Sequence, residues 1–179
     1  MFTVDGLKDY TVLDTGNGEK LEDVGGIMLQ RPDPQVIWEK STPDIWRPNA
    51  VYDRSDTGGG SWRFINKVPE RWTVELGGLR FYVRLTGFKH IGVFPEQAAN
   101  WEYIRRRIAG SGRPVSVLNL FAYTGGATLA ALSAGASVVH VDAAKSMNDW
   151  AKENAKLSGL DGADVRFIAD DCHKFVLRE

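Results

Sequence analysis

Three short apolar runs in the second half of the chain alternate with longer stretches of helical period. Continuous apolar runs of this length are typical of parallel strands that are covered on both faces. They lie at residues 115–120, 138–142 and 165–168. The stretches with apolar side chains at helical spacing lie at residues 95–108, 127–134 and 146–157. This alternation predicts a parallel α/β sheet of the Rossmann type.

The first half of the chain has a different pattern, with short strand-like segments separated by turn signals. The predicted strands cover residues 10–13, 26–30, 36–38, 71–76 and 79–85. Residues 41–69 are rich in proline, glycine and aspartate, which favours a flexible excursion. We therefore predict a small β-rich domain over residues 1–85 and a Rossmann-like cofactor-binding region over residues 86–179.

Four tryptophans stand out in the β-rich half, at positions 38, 46, 62 and 72. As an exposed aromatic surface they could stack on bases. Alternatively, they fill a small β core or a contact between domains. The sequence favours the second interpretation and leaves the first open.

The most informative local pattern is a glycine pair directly after the first apolar run. Gly125 and Gly126 allow a tight turn and carry no side chain that would hold a ligand away from the backbone. Asp142 ends the second run, at the edge of the sheet where a carboxylate can accept hydrogen bonds from both hydroxyls of a ribose. This pattern predicts a nucleoside site, although a simple turn and a capping carboxylate would give the same residues.

The loop also excludes some nucleotide ligands. Residues 121–126 lack the Gly-x-Gly-x-x-Gly spacing of dinucleotide sites, and no Gly-Lys-Ser or Gly-Lys-Thr motif for a triphosphate is present. A ribose-bearing ligand without phosphates fits better, and S-adenosyl-L-methionine is the common one. An oxidoreductase of the NAD type is the weaker alternative.

Several motifs together resemble a known family. Leu118-Asn-Leu-Phe-Ala-Tyr-Thr-Gly-Gly126, Gly135-Ala136, Val141-Asp142, Ala151-x-x-Asn154 and Asp170-Asp171 are similar to the class I S-adenosylmethionine-dependent methyltransferases of the bacterial 23S ribosomal RNA cytosine-C5 type. The upstream Gly92-Val-Phe-Pro-Glu-Gln97 is similar to a segment that helps to enclose the cofactor in that group. The resemblance covers the chain from about Phe88 onward.

The resemblance implies cofactor contacts from the upstream segment, the glycine loop and the ends of the second and third strands. These residues are Phe94, Gln97, Asn119, Phe121, Ala122, Tyr123, Thr124, Gly125, Gly126, Asp142, Ala143, Asp170 and Asp171. Either Asp170 or Asp171 would accept from the adenine amino group, and the other would cap the helix that starts near Cys172. Asn119 departs from the pattern, because many class I enzymes have an acidic residue there.

The family pattern also sets expectations about catalysis. Its sheet order puts strands three, two and one side by side, and the acceptor motif follows on strand four. No such motif appears before Glu179, so we expect a cofactor-binding half that is inactive by itself. Cys172 is expected to be a structural thiol and not the attacking nucleophile, which belongs to a later motif in the family. A non-catalytic nucleoside- or RNA-binding module is the alternative.

Composition changes this picture little. The charges nearly balance, with 22 basic and 23 acidic side chains, so a strong electrostatic footprint for RNA is absent. An RNA substrate is therefore expected only from the family resemblance, and Arg105-Arg-Arg107 fits a solvated helix end better than a phosphate contact. No apolar run suits a membrane span or a signal peptide, which favours a cytoplasmic protein. No metal site is indicated, and self-association stays open.

Overall fold

A computed structural model of the protein describes residues 7–56 and 58–179. Residues 1–6, assigned above to the β-rich domain, and Thr57, inside the predicted excursion, lie outside the described residues. The strands are β1 (Tyr10–Gly16), β2 (Glu19–Val24), β3 (Ile27–Pro32), β4 (Ala50–Arg54), β5 (Gly60–Phe64), β6 (Trp72–Leu76), β7 (Leu79–Val83), β8 (Ser116–Leu120), β9 (Ser137–Asp142) and β10 (Val165–Ala169). The helices are α1 (Ala98–Ala109), α2 (Gly126–Ser133), α3 (Lys145–Leu157) and α4 (Cys172–Arg178).

The described chain forms two compact units. One unit holds residues 77–82 and 93–179, and the other holds residues 7–76 and 83–92 apart from Thr57. The chain therefore leaves the β-rich unit at the Gly77-Gly78 turn, returns for residues 83–92 and leaves again. The sequence instead predicts a single crossing between residues 85 and 86.

The β-rich unit is built on a five-stranded sheet with the order β1-β2-β3-β4-β5. The pairs are antiparallel except for β3 with β4, which run parallel. The prediction of a strand at residues 36–38 is wrong, because this segment is irregular. Its carbonyl groups instead accept hydrogen bonds from the turn between β1 and β2, at 2.7 Å for both Gly18 N–H to Val36 O and Asn17 N–H to Trp38 O.

The predicted excursion at residues 41–69 is also corrected. It contains β4 and β5, which pair in register from Ala50 with Phe64 to Arg54 with Gly60. The proline and glycine residues that favour a flexible segment mark the ends of these short strands. Because each strand has only five residues, its apolar alternation is too brief to stand out from the flanking turns.

Strand β2 was not predicted because four of its six residues are charged. Glu22 nevertheless has a fully buried side chain and forms two hydrogen bonds with the guanidinium of Arg31 on β3, Nε to Oε2 at 2.5 Å and an Nη to Oε1 at 2.7 Å. Tyr10 and Lys20 also contact its Oε1 atom, and Arg31 donates to the Lys89 carbonyl. This ion pair allows a charged residue to occupy a position in the core.

The four tryptophans of this unit serve as internal anchors. Trp46 donates its indole N–H to Asp14, Trp62 to the Thr86 carbonyl and Trp72 to the Val24 carbonyl, at 2.8 to 2.9 Å. Trp38 donates to Thr15, although its side chain is half-exposed. These contacts favour the core interpretation over a base-stacking surface.

The second unit contains the predicted parallel sheet, with the order β10-β9-β8. The strands pair in register from Ser116 with Ser137 and from Val165 with Val138. Side chains of α1 and α2 cover one face around Val138, and Cys172 and Phe175 of α4 cover the other around Val141. The predicted strand order of this sheet is confirmed. No helix in the described part of the chain is long and apolar enough to cross a membrane.

We expect Glu22→Gln to destabilise the β-rich unit by about 3–5 kcal/mol, because the Arg31 charge would then be buried without its partner. Urea unfolding measures this change. The matched control is Asp53→Asn, which breaks the exposed ion pair with Arg63 and should cost at most about 1 kcal/mol. Equal stabilities of the two variants would contradict a structural role for the buried pair.

The same pair predicts a pH dependence. Burial raises the pKa of Glu22, but Arg31, with Lys20 and Tyr10, outweighs that effect and leaves the pKa below its ordinary value of 4.5. The stabilisation is therefore complete above pH 4.5 and is lost as the pH falls through the lowered pKa of the folded state. Glu22→Gln should unfold with a weaker acid dependence than the unchanged protein.

Candidate functional site

The loop between β8 and α2 has an unusual backbone. Phe121 and Tyr123 have positive φ angles of 52° and 51°, and Gly125 has a φ of 93°. Non-glycine residues in this conformation cost about 1–2 kcal/mol each. Such a loop persists only where its surroundings hold it in place.

Three successive amides of the loop are held by groups at the sheet edge. Phe121 N–H donates to Cys172 Sγ at 3.2 Å, and Ala122 N–H donates to the Val141 carbonyl at 3.1 Å. Tyr123 N–H donates to Asp142 Oδ2 at 2.9 Å. The Cys172 thiol is buried and is used in this contact, as expected for a structural thiol.

Asp142 connects two loops at the carboxyl end of β9. Besides Tyr123, its carboxylate accepts from Ala144 N–H, at 2.9 Å from Oδ1. A carboxylate has about four acceptor positions, so both oxygens retain capacity for further donors. Each charge-assisted bond to a backbone amide also fixes the loop that carries it.

Both glycines of the loop are required by packing within the protein. A Cβ atom at Gly126 would lie 2.5 Å from Cζ2 of Trp101, and one at Gly125 would lie 3.1 Å from the Ala151 Cβ and from Leu129. The sequence explained these glycines by a tight turn and by the close approach of a ligand. The positive φ of Gly125 agrees with the turn, and the structure adds a further reason, namely the contact of α1 and α3 with the loop.

An open cleft with a cavity volume of about 130 Å³ lies beside this loop. Eight of the predicted cofactor residues line it: Phe94, Gln97, Asn119, Phe121, Ala122, Tyr123, Thr124 and Gly126. The rings of Phe94 and Tyr123 lie 5.5 Å apart. Gly125, Asp142, Ala143, Asp170 and Asp171 do not line it, although Asp142 is hydrogen-bonded to the loop.

The two aspartates after β10 have different partners. Asp171 is the N-cap of α4 and accepts from Lys174 N–H at 2.9 Å. Asp170 forms an ion pair with Arg178 at 2.5 Å. Asp171 therefore takes the capping role that the sequence left open, and Asp170 is the remaining candidate for an adenine contact.

Asn119 is oriented by a buried polar chain. Its Nδ2 atom donates to Thr128 Oγ1, which lies 2.9 Å from His140 Nδ1. Burial lowers the pKa of His140 from 6.5 to about 4, although the nearby Asp142 carboxylate raises it. The imidazole is therefore neutral at pH 7, and the Oδ1 atom of Asn119 has no hydrogen-bond partner among the described residues.

Three residues of the cleft wall were not predicted: Val93, Trp101 and Ala127. Trp101 belongs to α1 and is only 3% exposed. Its ring packs 5.2 Å from that of Phe81 and meets Gly126. A helical apolar stripe does not reveal which of its members reaches a cavity, so the sequence carried no signal for this role.

Asn154, quoted above within a motif, anchors the loop from α3. Its fully buried amide donates to the Thr124 carbonyl at 3.0 Å and accepts from Tyr82 N–H at 2.8 Å. The neighbouring Trp150 donates to the Tyr82 carbonyl. The motif therefore positions the glycine loop without itself lining the cleft.

Comparison with known proteins identifies the family to which this architecture belongs. A sequence model of the S-adenosylmethionine-dependent methyltransferases matches residues 52–177. The chain belongs to this family. Its cofactor is S-adenosyl-L-methionine, and the recognition of a class I methyltransferase from the sequence motifs is confirmed.

Individual relatives agree with this assignment. The chain is 34% identical over 120 residues to the ribosomal RNA large subunit methyltransferase K/L of Shewanella frigidimarina, an alignment that covers 66% of this chain and 16% of the relative. The chain thus spans about one sixth of the length of the curated relatives it matches.

Solved structures support the mixed α/β fold. The S-adenosylmethionine-dependent methyltransferase of Agrobacterium tumefaciens matches with a TM-score of 0.93 and 44% identity, over 99% of this chain and 57% of its own. A methyltransferase candidate solved with S-adenosylhomocysteine matches with a TM-score of 0.73 and 20% identity, over 97% of this chain and 48% of its own. The second match, at this identity, concerns the fold alone.

We expect Gly126→Ala to destabilise the protein by about 1–3 kcal/mol, because the new methyl group would overlap the Trp101 ring. Thermal or urea unfolding measures this change. Gly162→Ala is the matched control, since a Cβ at that position meets no atom within 4 Å. A Gly126→Ala protein as stable as this control would refute the packing explanation for the second glycine.

The lowered pKa of His140 predicts a second acid effect, distinct from that of Glu22. The unfolded chain binds a proton near pH 6.5 and the folded one only near pH 4, so stability should decrease as the pH falls through this interval. His140→Gln should remove that part of the slope in urea unfolding at pH 7.5, 6 and 5. An imidazole of His140 that titrates above pH 6 by NMR would contradict its burial in the neutral form.

Proposed function

We propose that this chain binds S-adenosyl-L-methionine in the cleft beside residues 121–126 and is the cofactor-binding part of a methyltransferase that acts on RNA. The proposal rests on the two hydrogen bonds that Asp142 accepts, from Tyr123 N–H and from Ala144 N–H. These bonds fix the strained loop beside the cleft. The carboxylate keeps acceptor capacity for a ribose at the end of β9.

The residues around the cleft suit the parts of this cofactor. Asp142 would accept from the ribose hydroxyls, and Asn119 Oδ1 would accept from the amino group. Asp170 would accept from the adenine amino group beyond Ala143, while Asp171 remains occupied as a helix cap. The remaining residues of the predicted set would complete the site. Gly125 would do so as part of the loop, and the others as walls of the cleft: Phe94, Gln97, Phe121, Ala122, Tyr123, Thr124 and Gly126.

The chemistry makes few demands on protein acids and bases. The bound cofactor supplies a sulfonium with an activated methyl group. The protein would then contribute by holding the donor in a fixed position and orientation relative to the acceptor. The anchored loop supports this role, because its amides are fixed at three successive residues before any ligand binds.

The proposal that RNA is the acceptor rests on the names of the relatives and not on the charge of the chain. The Shewanella frigidimarina relative is named a ribosomal RNA large subunit methyltransferase, and its name specifies neither a base nor an atom. The arginines of α1 add little support, since Arg105 and Arg106 both bond to Glu102. An acceptor of this kind would be met in the cytoplasm.

We expect calorimetry to detect binding of S-adenosylmethionine and S-adenosylhomocysteine but not of NAD. Asp142→Ala should weaken binding by about 1.5–3 kcal/mol, the contribution of hydrogen bonds to a charged group. Asp142→Asn should also weaken it, because an amide offers one acceptor oxygen to two backbone donors.

The matched control is Asp149→Ala on α3, which removes an exposed carboxylate paired only with Lys145 and Lys152 among the described residues. Its affinity should equal that of the unchanged protein. Tight binding of NAD, or unchanged binding by both Asp142 variants, would overturn the proposed cofactor site.

The acceptor is tested separately by transfer of a labelled methyl group. Large-subunit ribosomal RNA, transfer RNA and a protein extract are offered in parallel to the unchanged protein and to the Asp142→Ala variant. Label in ribosomal RNA that depends on Asp142 supports the proposal. Label confined to protein or to transfer RNA would refute the substrate class.

A further inference from the structure

Among the six tryptophans of the chain, Trp101 has a distinctive indole N–H. The indole groups of Trp38, Trp46, Trp62, Trp72 and Trp150 all donate to acceptors within the protein. Trp101 has no hydrogen-bond partner among the described residues, although its side chain is only 3% exposed. Unlike the other five indole groups, this donor is therefore left available to a ligand or to water.

The position of this N–H group suggests its partner. The only polar side-chain atoms that the described residues both enclose fully and leave unpaired are His140 Nε2 and Asn148 Oδ1. The Trp101 nitrogen is not among them, and its ring lines the cleft. The nitrogen would lie 3.0 Å from a Cβ atom at Gly126, which also lines the cleft, so the donor lies at the cleft wall beside the first residue of α2.

The start of α2 adds further hydrogen-bond donors and a partial positive charge beside the cleft. This eight-residue helix has no side-chain cap on its N-terminus and no acidic residue in its first turn. The first amides of a helix have no acceptor within the helix, and its positive end favours an anion. Gly126 and Ala127, which carry two of these amides, also line the cleft.

An indole N–H is a donor only, and it lies on the positive edge of the ring. Together with the helix terminus, it favours a negatively charged acceptor and disfavours the sulfonium and the amino group. The carboxylate is the only anionic group of S-adenosylmethionine. We propose that Trp101 donates its indole N–H to the cofactor carboxylate and thereby selects ligands that carry an amino-acid tail.

This inference rests on the proposed cofactor site and assigns it a specificity-determining residue. Trp101→Phe removes the N–H group and retains an aromatic ring against Phe81. Calorimetry then compares S-adenosylhomocysteine with its decarboxylated analogue, which keeps the amine. We expect the variant to lose about ten- to a hundredfold in affinity for the first ligand and less than threefold for the second.

Trp150→Phe is the matched control. It deletes an indole N–H that donates to the Tyr82 carbonyl at 3.0 Å, outside the cleft wall. Any loss of affinity should therefore be equal for the two ligands. An equal loss in the Trp101→Phe protein, or no loss, would reduce Trp101 to a packing residue and overturn the inference.

A measurement on the unchanged protein covers the case in which Trp101→Phe fails to fold. In the free protein, we expect one of six indole N–H signals to exchange rapidly with water. Adding S-adenosylhomocysteine should protect that signal and shift it downfield, and the decarboxylated analogue should do neither. Equal protection by both ligands would contradict a bond to the carboxylate.

The outcomes separate the two proposals. Absence of binding by S-adenosylmethionine and S-adenosylhomocysteine refutes the cofactor site, and the role of Trp101 with it. Binding that depends on Asp142 but not on Trp101 leaves the cofactor site intact and refutes the carboxylate contact alone.

Discussion

The site depends on the two hydrogen bonds that the carboxylate of Asp142 accepts. The carboxylate holds the amides of Tyr123 and Ala144 at the end of β9, and so joins the loops that follow the first two parallel strands. Left-handed backbone at Phe121 and Tyr123 is unfavourable in isolation. The fixed acceptors at the sheet edge offset that cost, and the loop is then pre-organised beside the cleft.

Packing from the helices completes this arrangement. Trp101 lies against Gly126, where a single methyl group would overlap its ring, and Asn154 holds the Thr124 carbonyl from α3. The contact of Trp101 with Gly126 packs α1 against the start of α2. Trp101 and Gly126 also line the cleft, so a change at Gly126 would alter both the packing and the cleft wall.

The cofactor and the proposed methyl acceptor rest on different observations. The fold, the glycine loop and the family match agree on S-adenosylmethionine as the cofactor. The acceptor class comes from the names of relatives, of which the chain spans about one sixth. In the β-rich unit, the tryptophans are used to hold the sheet together, so they add no independent support for an RNA surface.

The sequence by itself determined the parallel sheet, its helices and the ligand class, because apolar period and glycine spacing are local signals that packing reinforces. It missed β2, β4 and β5, since a charged or very short strand is recognisable only through partners such as Arg31 for Glu22. Eight of the residues that the family resemblance implies as cofactor contacts line the cleft. Only the tertiary structure decided that the glycines lie against Trp101 and Ala151, that Asp171 is a cap, and that Trp101 lines the cleft. These roles depend on contacts between residues far apart in the chain, which no local pattern encodes.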